Sequence, residues 1–104
     1  HPQHQLHRQL MNPGFGFGGM IAIDFETEKR ANQMMQKMQE AGVGYLAVSL
    51  GYFKTLFSCS GHSTSSEIPA EIQHEMGLSD GLVRFSVGLD NDIESTLRKI
   101  KNCF

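Results

Sequence analysis

Tryptophan is absent from this sequence, and only two cysteines, two tyrosines and three prolines occur among its 104 residues. The two cysteines, Cys59 and Cys103, cannot build the disulfide framework of a small secreted domain, so we expect structural, reduced thiols in a cytoplasmic protein. No apolar run approaches the roughly 20 residues that span a bilayer, and no secretory signal pattern is visible. The composition therefore predicts neither a disulfide-stapled scaffold nor a membrane partner.

A surplus of basic residues is also missing. Nine lysines and arginines stand against eleven acids, and the net charge is −2. Without a basic surplus the chain lacks the electrostatic footprint of a nucleic-acid-binding protein, so no such partner is expected. The length fits one domain, whose core would remove roughly two thirds of the unfolded surface from water. The chain opens at His1 rather than methionine, which predicts that residues 1–104 are a fragment of a longer protein.

Hydrophobic residues recur with both strand and helix periods. Strands are predicted over residues 20–25, 46–50 and 82–87, and helices over residues 3–11, 27–41, 69–76 and 90–104. The clearest helix carries an apolar stripe at Ala31, Met34, Met35, Met38 and Ala41. The small, polar stretch 58–66 is predicted to be a loop. Together these elements predict an α/β domain in which a small sheet packs against helices.

Residues 14–19 have the pattern G-x-G-x-G-G, with Phe15 and Phe17 between the glycines. A phosphate-binding glycine loop follows a strand and opens a helix, whereas this one precedes a predicted strand. A turn in which glycines adopt positive φ is therefore favoured over a nucleotide site.

Histidine and cysteine offer two further candidates. His1, His4 and His7 recur every three residues, but no Cys, Asp or Glu lies nearby to complete a tetrahedral zinc site. Solvated histidines near a terminus are expected instead, and no metal is predicted. Cys59 and His62 could form a nucleophile pair, although closeness in a loop does not establish the geometry that catalysis needs.

Arg84 lies in the middle of the last predicted strand, opposite the face that carries Val83 and Phe85. A strand holds the guanidinium on a rigid element, and its planar fork can bind a carboxylate through two hydrogen bonds. From the pattern alone, a surface arginine in a weak salt bridge is the more common outcome. Both interpretations stay open at this point.

Three stretches, taken in this order and spacing, resemble the C-terminal domain of the Cys/Met-metabolism pyridoxal phosphate (PLP) enzymes. They are GFGGMI at residues 16–21, LAVSLG at residues 46–51 with Thr55-Leu56 after it, and GLVRFSVGL at residues 81–89. The family includes methionine γ-lyase, cystathionine γ-synthase, the cystathionine lyases and the O-acylhomoserine sulfhydrylases. The resemblance covers nearly the whole chain. It implies the small domain of a fold-type I enzyme, with a mostly antiparallel sheet and helices on one face.

The resemblance also implies a substrate-binding role for three residues. In the family, the arginine that matches Arg84 binds the α-carboxylate of the amino acid substrate, and the serine that matches Ser49 lies beside it. Val48 resembles methionine γ-lyase, because cystathionine-cleaving members tend to carry glutamate there. The leading expectation is a C–S lyase that eliminates from a methionine-like substrate, and the alternative within the family is transsulfuration of the cystathionine γ-synthase type.

Two departures from the family limit what is carried over. After Leu56 the family has a proline and then Thr-His, but here Thr64-Ser65 fall at that pair, and no role is transferred to His62. The family's Schiff-base lysine and its other cofactor-binding residues lie upstream, in a large domain. We therefore expect no catalytic or cofactor-binding residue in this chain, no useful PLP binding and no activity by the fragment alone. The expected partners are that large domain, a sulfur-containing amino acid and, in the parent enzyme, the other subunits of a homotetramer.

Two interpretations from other classes remain. A free-standing α/β module that binds an amino acid for regulation would have its own ligand affinity. A purely structural dimerisation domain would lose nothing but surface charge when Arg84 is replaced by alanine.

Overall fold

The computed structural model describes residues 1–60 and 67–104 of the chain. In chain order the elements are α1 (His4–Leu10), β1 (Met20–Asp24), α2 (Glu28–Glu40), β2 (Tyr45–Leu46), β3 (Leu56–Cys59), α3 (Ala70–Glu75), β4 (Leu82–Ser86) and α4 (Ile93–Cys103).

The four strands form one sheet in the order β1-β4-β3-β2. Strand β4 is antiparallel to both β1 and β3, and only the β2–β3 pair is parallel. The α/β class and the small, mostly antiparallel sheet are therefore confirmed.

Helices α2 and α4 contact each other, and α2 covers one face of the sheet. The predicted stripe of α2 is confirmed, since Ala31, Met34, Met35 and Met38 are buried. They pack in one cluster with residues from the strands, among them Phe57, Val83 and Phe85. The side chain of Thr27 caps α2 by accepting a hydrogen bond from the Arg30 N–H, and Gly42 ends it at a φ of 70°.

The predicted buried strand over residues 46–50 is wrong. Strand β2 is only Tyr45–Leu46, both residues are exposed, and the side chains of Val48 and Leu50 are 54% and 56% exposed. The Ala47 N–H still donates to the Phe57 carbonyl, after which the chain leaves the sheet. An edge strand buries little, so an apolar run there does not indicate a buried strand.

Strand β3 is not predicted from the sequence. The stretch assigned to a loop, residues 58–66, begins with Ser58 and Cys59, which belong to this interior strand; residues 61–66 lie outside the described part of the chain. All four residues of β3 are buried, so the strand lacks the alternation of apolar and polar residues on which strand prediction depends.

The N-terminal segment packs least. No residue of α1 is buried, and the rings of His4 and His7 lie 5.1 and 5.6 Å from the ring of Phe17. Three of the four glycines in the loop after α1, at positions 14, 16 and 18, have positive φ, as the turn interpretation predicts.

The C-terminal half largely follows the prediction. Helix α3 follows Pro69, and Gly77 lies beyond its end at a φ of 74°. The carboxylate of Asp92 caps α4 by accepting from the Ser95 N–H. The apolar side of α4 is only partly covered, however: Cys103 is buried, whereas Ile93 is half exposed and Phe104 is 72% exposed. No helix within the described residues is long and apolar enough to cross a membrane.

Candidate functional site

Strand β4 directs alternate side chains to opposite faces of the sheet. Val83 and Phe85 enter the core beneath the helices, and Arg84 therefore lies on the opposite face. We call that face the open face. Two rows of paired residues from β1, β4 and β3 lie on it. They are Ala22–Arg84–Ser58 and Met20–Ser86–Leu56.

Arg84 reaches across the neighbouring strand. Its Nη2 donates a hydrogen bond to the main-chain carbonyl of Val48, with a distance of 2.8 Å between the two atoms. Strand β3 lies between β4 and the chain that leaves β2, so the side chain spans two strand spacings of about 4.8 Å each. Two of the three predicted site residues, Arg84 and Val48, are thus brought together.

Ser58 lies directly beneath this crossing. It is the cross-strand partner of Arg84 in the β3–β4 register and is only 6% exposed. Its Oγ and the Nε of Arg84 are both buried, and neither atom has a hydrogen-bond partner among the described residues. Buried polar atoms are seldom left unpaired, because each such atom loses water without gaining a replacement.

Ser86 lies in the other row of the open face. It binds the segment that contains Ser49, the third predicted site residue. The Gly51 N–H donates to the Ser86 Oγ at 3.2 Å, and Gly51 has a φ of 69°. Ser49 lies two residues before this anchor and is exposed, next to Val48. No hydrogen bond joins Ser49 to Arg84 within the described residues, so the structure places Ser49 near the arginine without a direct contact.

The sequence analysis missed Ser58 and Ser86 as parts of this site. Ser86 carried a usable signal, since it stands two residues after Arg84 in the same strand and so shares its face. Ser58 carried none, because its stretch was assigned to a loop and a loop defines no cross-strand register.

Arg84 has no carboxylate partner among the described residues, so the surface salt bridge is not seen there. Within the described residues the only salt bridge joins Arg30 to Glu26. The guanidinium has five N–H donors, and within residues 1–60 and 67–104 they make one hydrogen bond, to the Val48 carbonyl. Charge and donors therefore remain available for an anionic ligand.

The other sequence candidates do not join this site. The thiol of Cys59 is buried on the helix side and donates to the Asp80 carbonyl at 3.2 Å, while His62 lies outside the described residues. In residues 1–60 and 67–104, no three His, Cys, Asp or Glu side chains are grouped so that they could hold a metal ion.

The pKa values of Asp24 and Lys54 are shifted by neighbours other than Arg84. The hydroxyl of Ser79 and the N–H of Glu26 lower the pKa of the Asp24 carboxyl by donating to it. The Tyr45 hydroxyl raises the pKa of Lys54, whose ammonium donates to that oxygen at 2.9 Å.

Four of the five lysines lie on helices. Lys29 and Lys37 lie on α2, Lys99 and Lys101 lie on α4, and Lys54 is bonded to Tyr45. The helices that carry the first four cover the opposite face of the sheet from Arg84. The sheet therefore separates these four helix lysines from Arg84.

The comparisons with known proteins agree on one family. The sequence model of the Cys/Met metabolism PLP-dependent enzymes matches residues 1–104. The methionine gamma-lyase of Arabidopsis thaliana is 46% identical over 105 residues, which cover all of this chain and 24% of that protein. The cystathionine gamma-lyase of Bacillus subtilis (strain 168) is 37% identical over 100 residues, covering 96% of this chain and 24% of that protein.

A solved structure extends the similarity to the fold. The cystathionine gamma synthase of Xanthomonas oryzae pv. oryzae, solved in complex with cystathionine, superposes with a TM-score of 0.78 at 26% identity. The match covers 99% of this chain and 25% of that one, and the chain spans about a quarter of the length of the curated relatives it matches. The chain belongs to the family of Cys/Met metabolism PLP-dependent enzymes.

Proposed function

We propose that residues 1–104 are the C-terminal, substrate-carboxylate-binding domain of a PLP-dependent enzyme that acts on a sulfur-containing amino acid. The observation that carries this proposal is Arg84: a guanidinium held on a central strand that, among the described residues, has no carboxylate partner and is hydrogen-bonded to the carbonyl of Val48. The quarter-length match supports a parent with a further, larger domain, which would hold the cofactor.

Arg84 would bind the α-carboxylate of the substrate. The planar fork suits two parallel hydrogen bonds to a carboxylate, and the strand fixes the direction of approach. In the parent, bound PLP supplies the electron sink for bond breaking at the α-carbon. Fixing the carboxylate orients that carbon, and Val48 and Ser49 would line the same site from the segment that Ser86 anchors.

The reaction we favour is a γ-elimination in which the C–S bond of a methionine-like substrate breaks and, with water, a thiol, a 2-oxo acid and ammonia are released. The 46% identity to a methionine gamma-lyase and the apolar residue at Val48 support it. Transsulfuration of the cystathionine γ-synthase type is the second candidate, supported by the similarity to the solved synthase. For the parent we propose a cytoplasmic homotetramer, and for residues 1–104 alone no activity.

The test uses the full-length protein that contains this domain, loaded with PLP. Replacing Arg84 with alanine should leave the absorbance of the bound cofactor unchanged and raise the KM for L-methionine about 10- to 200-fold, because one charge-assisted contact is lost. The matched control is Arg98→Ala, which removes an exposed arginine on α4 and should leave KM unchanged.

An unchanged KM in Arg84→Ala would refute the carboxylate role. A full-length protein that binds no PLP would refute the enzyme, and the free-standing amino-acid-binding module would replace it.

A further inference from the structure

Two buried polar atoms belong to facing residues of the open face, beneath the proposed carboxylate contact. The Ser58 Oγ and the Arg84 Nε are buried, and neither has a hydrogen-bond partner among the described residues. They belong to residues that face each other in the β3–β4 register. Side chains at such a pair have their β-carbons about 4.5–5.5 Å apart, so a hydroxyl on one can meet the stem of the other.

The path of the arginine explains why Ser58 is covered. Tyr45 and Leu46 pair with Leu56 and Phe57, and the Ala47 N–H extends this register by donating to the Phe57 carbonyl. Val48 therefore emerges beside the end of β3. To reach the Val48 carbonyl from β4, the side chain of Arg84 must pass over Ser58.

The two atoms are also chemically complementary. The Nε–H of arginine only donates, and the serine hydroxyl oxygen can accept. The present contact of Nη2 with the Val48 carbonyl holds the guanidinium in an arrangement that leaves this pair unmade. A buried donor and a buried acceptor that each lack a partner cost stability, and such a cost is typical of sites that are completed by a ligand.

We propose that Ser58 is a positioning residue for Arg84: its hydroxyl accepts a hydrogen bond from Nε when the guanidinium exchanges the Val48 carbonyl for a substrate carboxylate. Both Nη atoms are then free to face the ligand, while the stem is fixed from below. The inference rests on the proposed role of Arg84 as the carboxylate contact.

The experiment measures dissociation constants with the full-length, PLP-loaded protein, from the change in cofactor absorbance on titration. Two ligands are compared, L-methionine and 3-(methylthio)propylamine, which is the same molecule without the carboxylate. The variants are Ser58→Ala, Ser58→Thr and Arg84→Ala. Cys59→Ala serves as the matched control, because Cys59 is the next residue of β3 and faces the helices.

Ser58→Ala should raise the dissociation constant for L-methionine about tenfold and leave that for the amine unchanged, because only the carboxylate uses Arg84. Ser58→Thr keeps the hydroxyl and should restore affinity to within about threefold of the original protein. Cys59→Ala should change neither constant. A purely structural Ser58 would not produce this dependence on the carboxylate.

The variants distinguish a wrong role for Ser58 from a wrong role for Arg84. If Ser58→Ala leaves methionine binding unchanged while Arg84→Ala weakens it, the role of Ser58 is refuted and the proposed function stands. If Arg84→Ala also leaves methionine binding unchanged, the proposed function is refuted and the inference falls with it.

Discussion

The two faces of the sheet differ in how well their side chains are buried and paired. Beneath α2 and α4, the strands contribute Phe57, Val83 and Phe85 to a core in which every residue is at most 9% exposed. On the open face, Met20 and Val48 are about half exposed, and buried polar atoms of Ser58 and Arg84 stay unpaired among the described residues. The helix face therefore has a buried apolar core at its centre, whereas the open face holds buried polar atoms that no described residue pairs.

Residues of one strand therefore face different environments. In β4, Val83 and Phe85 pack in the core against the helices, and Arg84 between them places a charge on the open face. Substitutions on the helix face should therefore act on folding, and those on the open face on ligand binding.

The largest expected effect on folding is at the centre of the helix face. Phe57 is fully buried, so Phe57→Ala should lower the free energy of unfolding of the 104-residue chain by about 3–5 kcal/mol, through lost apolar burial and the cavity left behind. Urea unfolding measures it. Phe15→Ala, which removes the same side chain at a site that is 83% exposed, should change the same free energy by no more than about 0.5 kcal/mol. Equal effects at the two sites would contradict the assigned core.

A smaller effect distinguishes two buried serines of the open face. Ser86→Ala removes the acceptor of the Gly51 N–H and should lower the free energy of unfolding by about 0.5–1.5 kcal/mol. Ser58→Ala removes a hydroxyl that has no partner among the described residues, and should leave that free energy unchanged or raise it by up to about 1 kcal/mol. The same urea titrations give both values. A clear loss of stability in Ser58→Ala would show that its hydroxyl is already paired.

The smallest expected effect is on the pKa of Asp24, at the end of the open face. The Ser79 hydroxyl helps to lower this pKa in the folded state. The Asp24 carboxylate therefore stabilises the fold at pH values above its unfolded pKa, and this contribution is lost as the pH falls through the lower folded pKa. Ser79→Ala should raise the pKa of Asp24 and reduce the loss of stability on acidification. Carboxyl-carbon NMR titration measures the shift. The pKa of Asp90, which the Thr96 hydroxyl and the Asp92 N–H lower, should not change in this variant.

The sequence predicted the helix face well because its signals are periodic. The stripe of α2 and the alternation in β4 each follow from burial on one side, and both are confirmed. Strand β3 could not be predicted in the same way, since it is buried on both faces and ends in Ser58 and Cys59. The strand assigned to residues 46–50 failed for the opposite reason, because an apolar run lies on an exposed edge.

The candidate site was only partly predictable. Arg84 could be chosen from its place in a strand and from the family resemblance, but its contact with the Val48 carbonyl depends on how three strands are ordered. Ser58 depends on a cross-strand register that no local pattern contains. Contacts that depend on strand pairing cannot be predicted until the order and register of the strands are known.

The most direct test of the account is a crystal structure of the full-length, PLP-loaded protein with a sulfur-containing amino acid bound. We expect the ligand's α-carboxylate oxygens to lie about 2.7–3.2 Å from the Arg84 Nη atoms, with the contact to the Val48 carbonyl broken. A carboxylate bound elsewhere, with Nη2 of Arg84 still on the Val48 carbonyl, would contradict the assignment of the open face as the substrate-binding side of this domain.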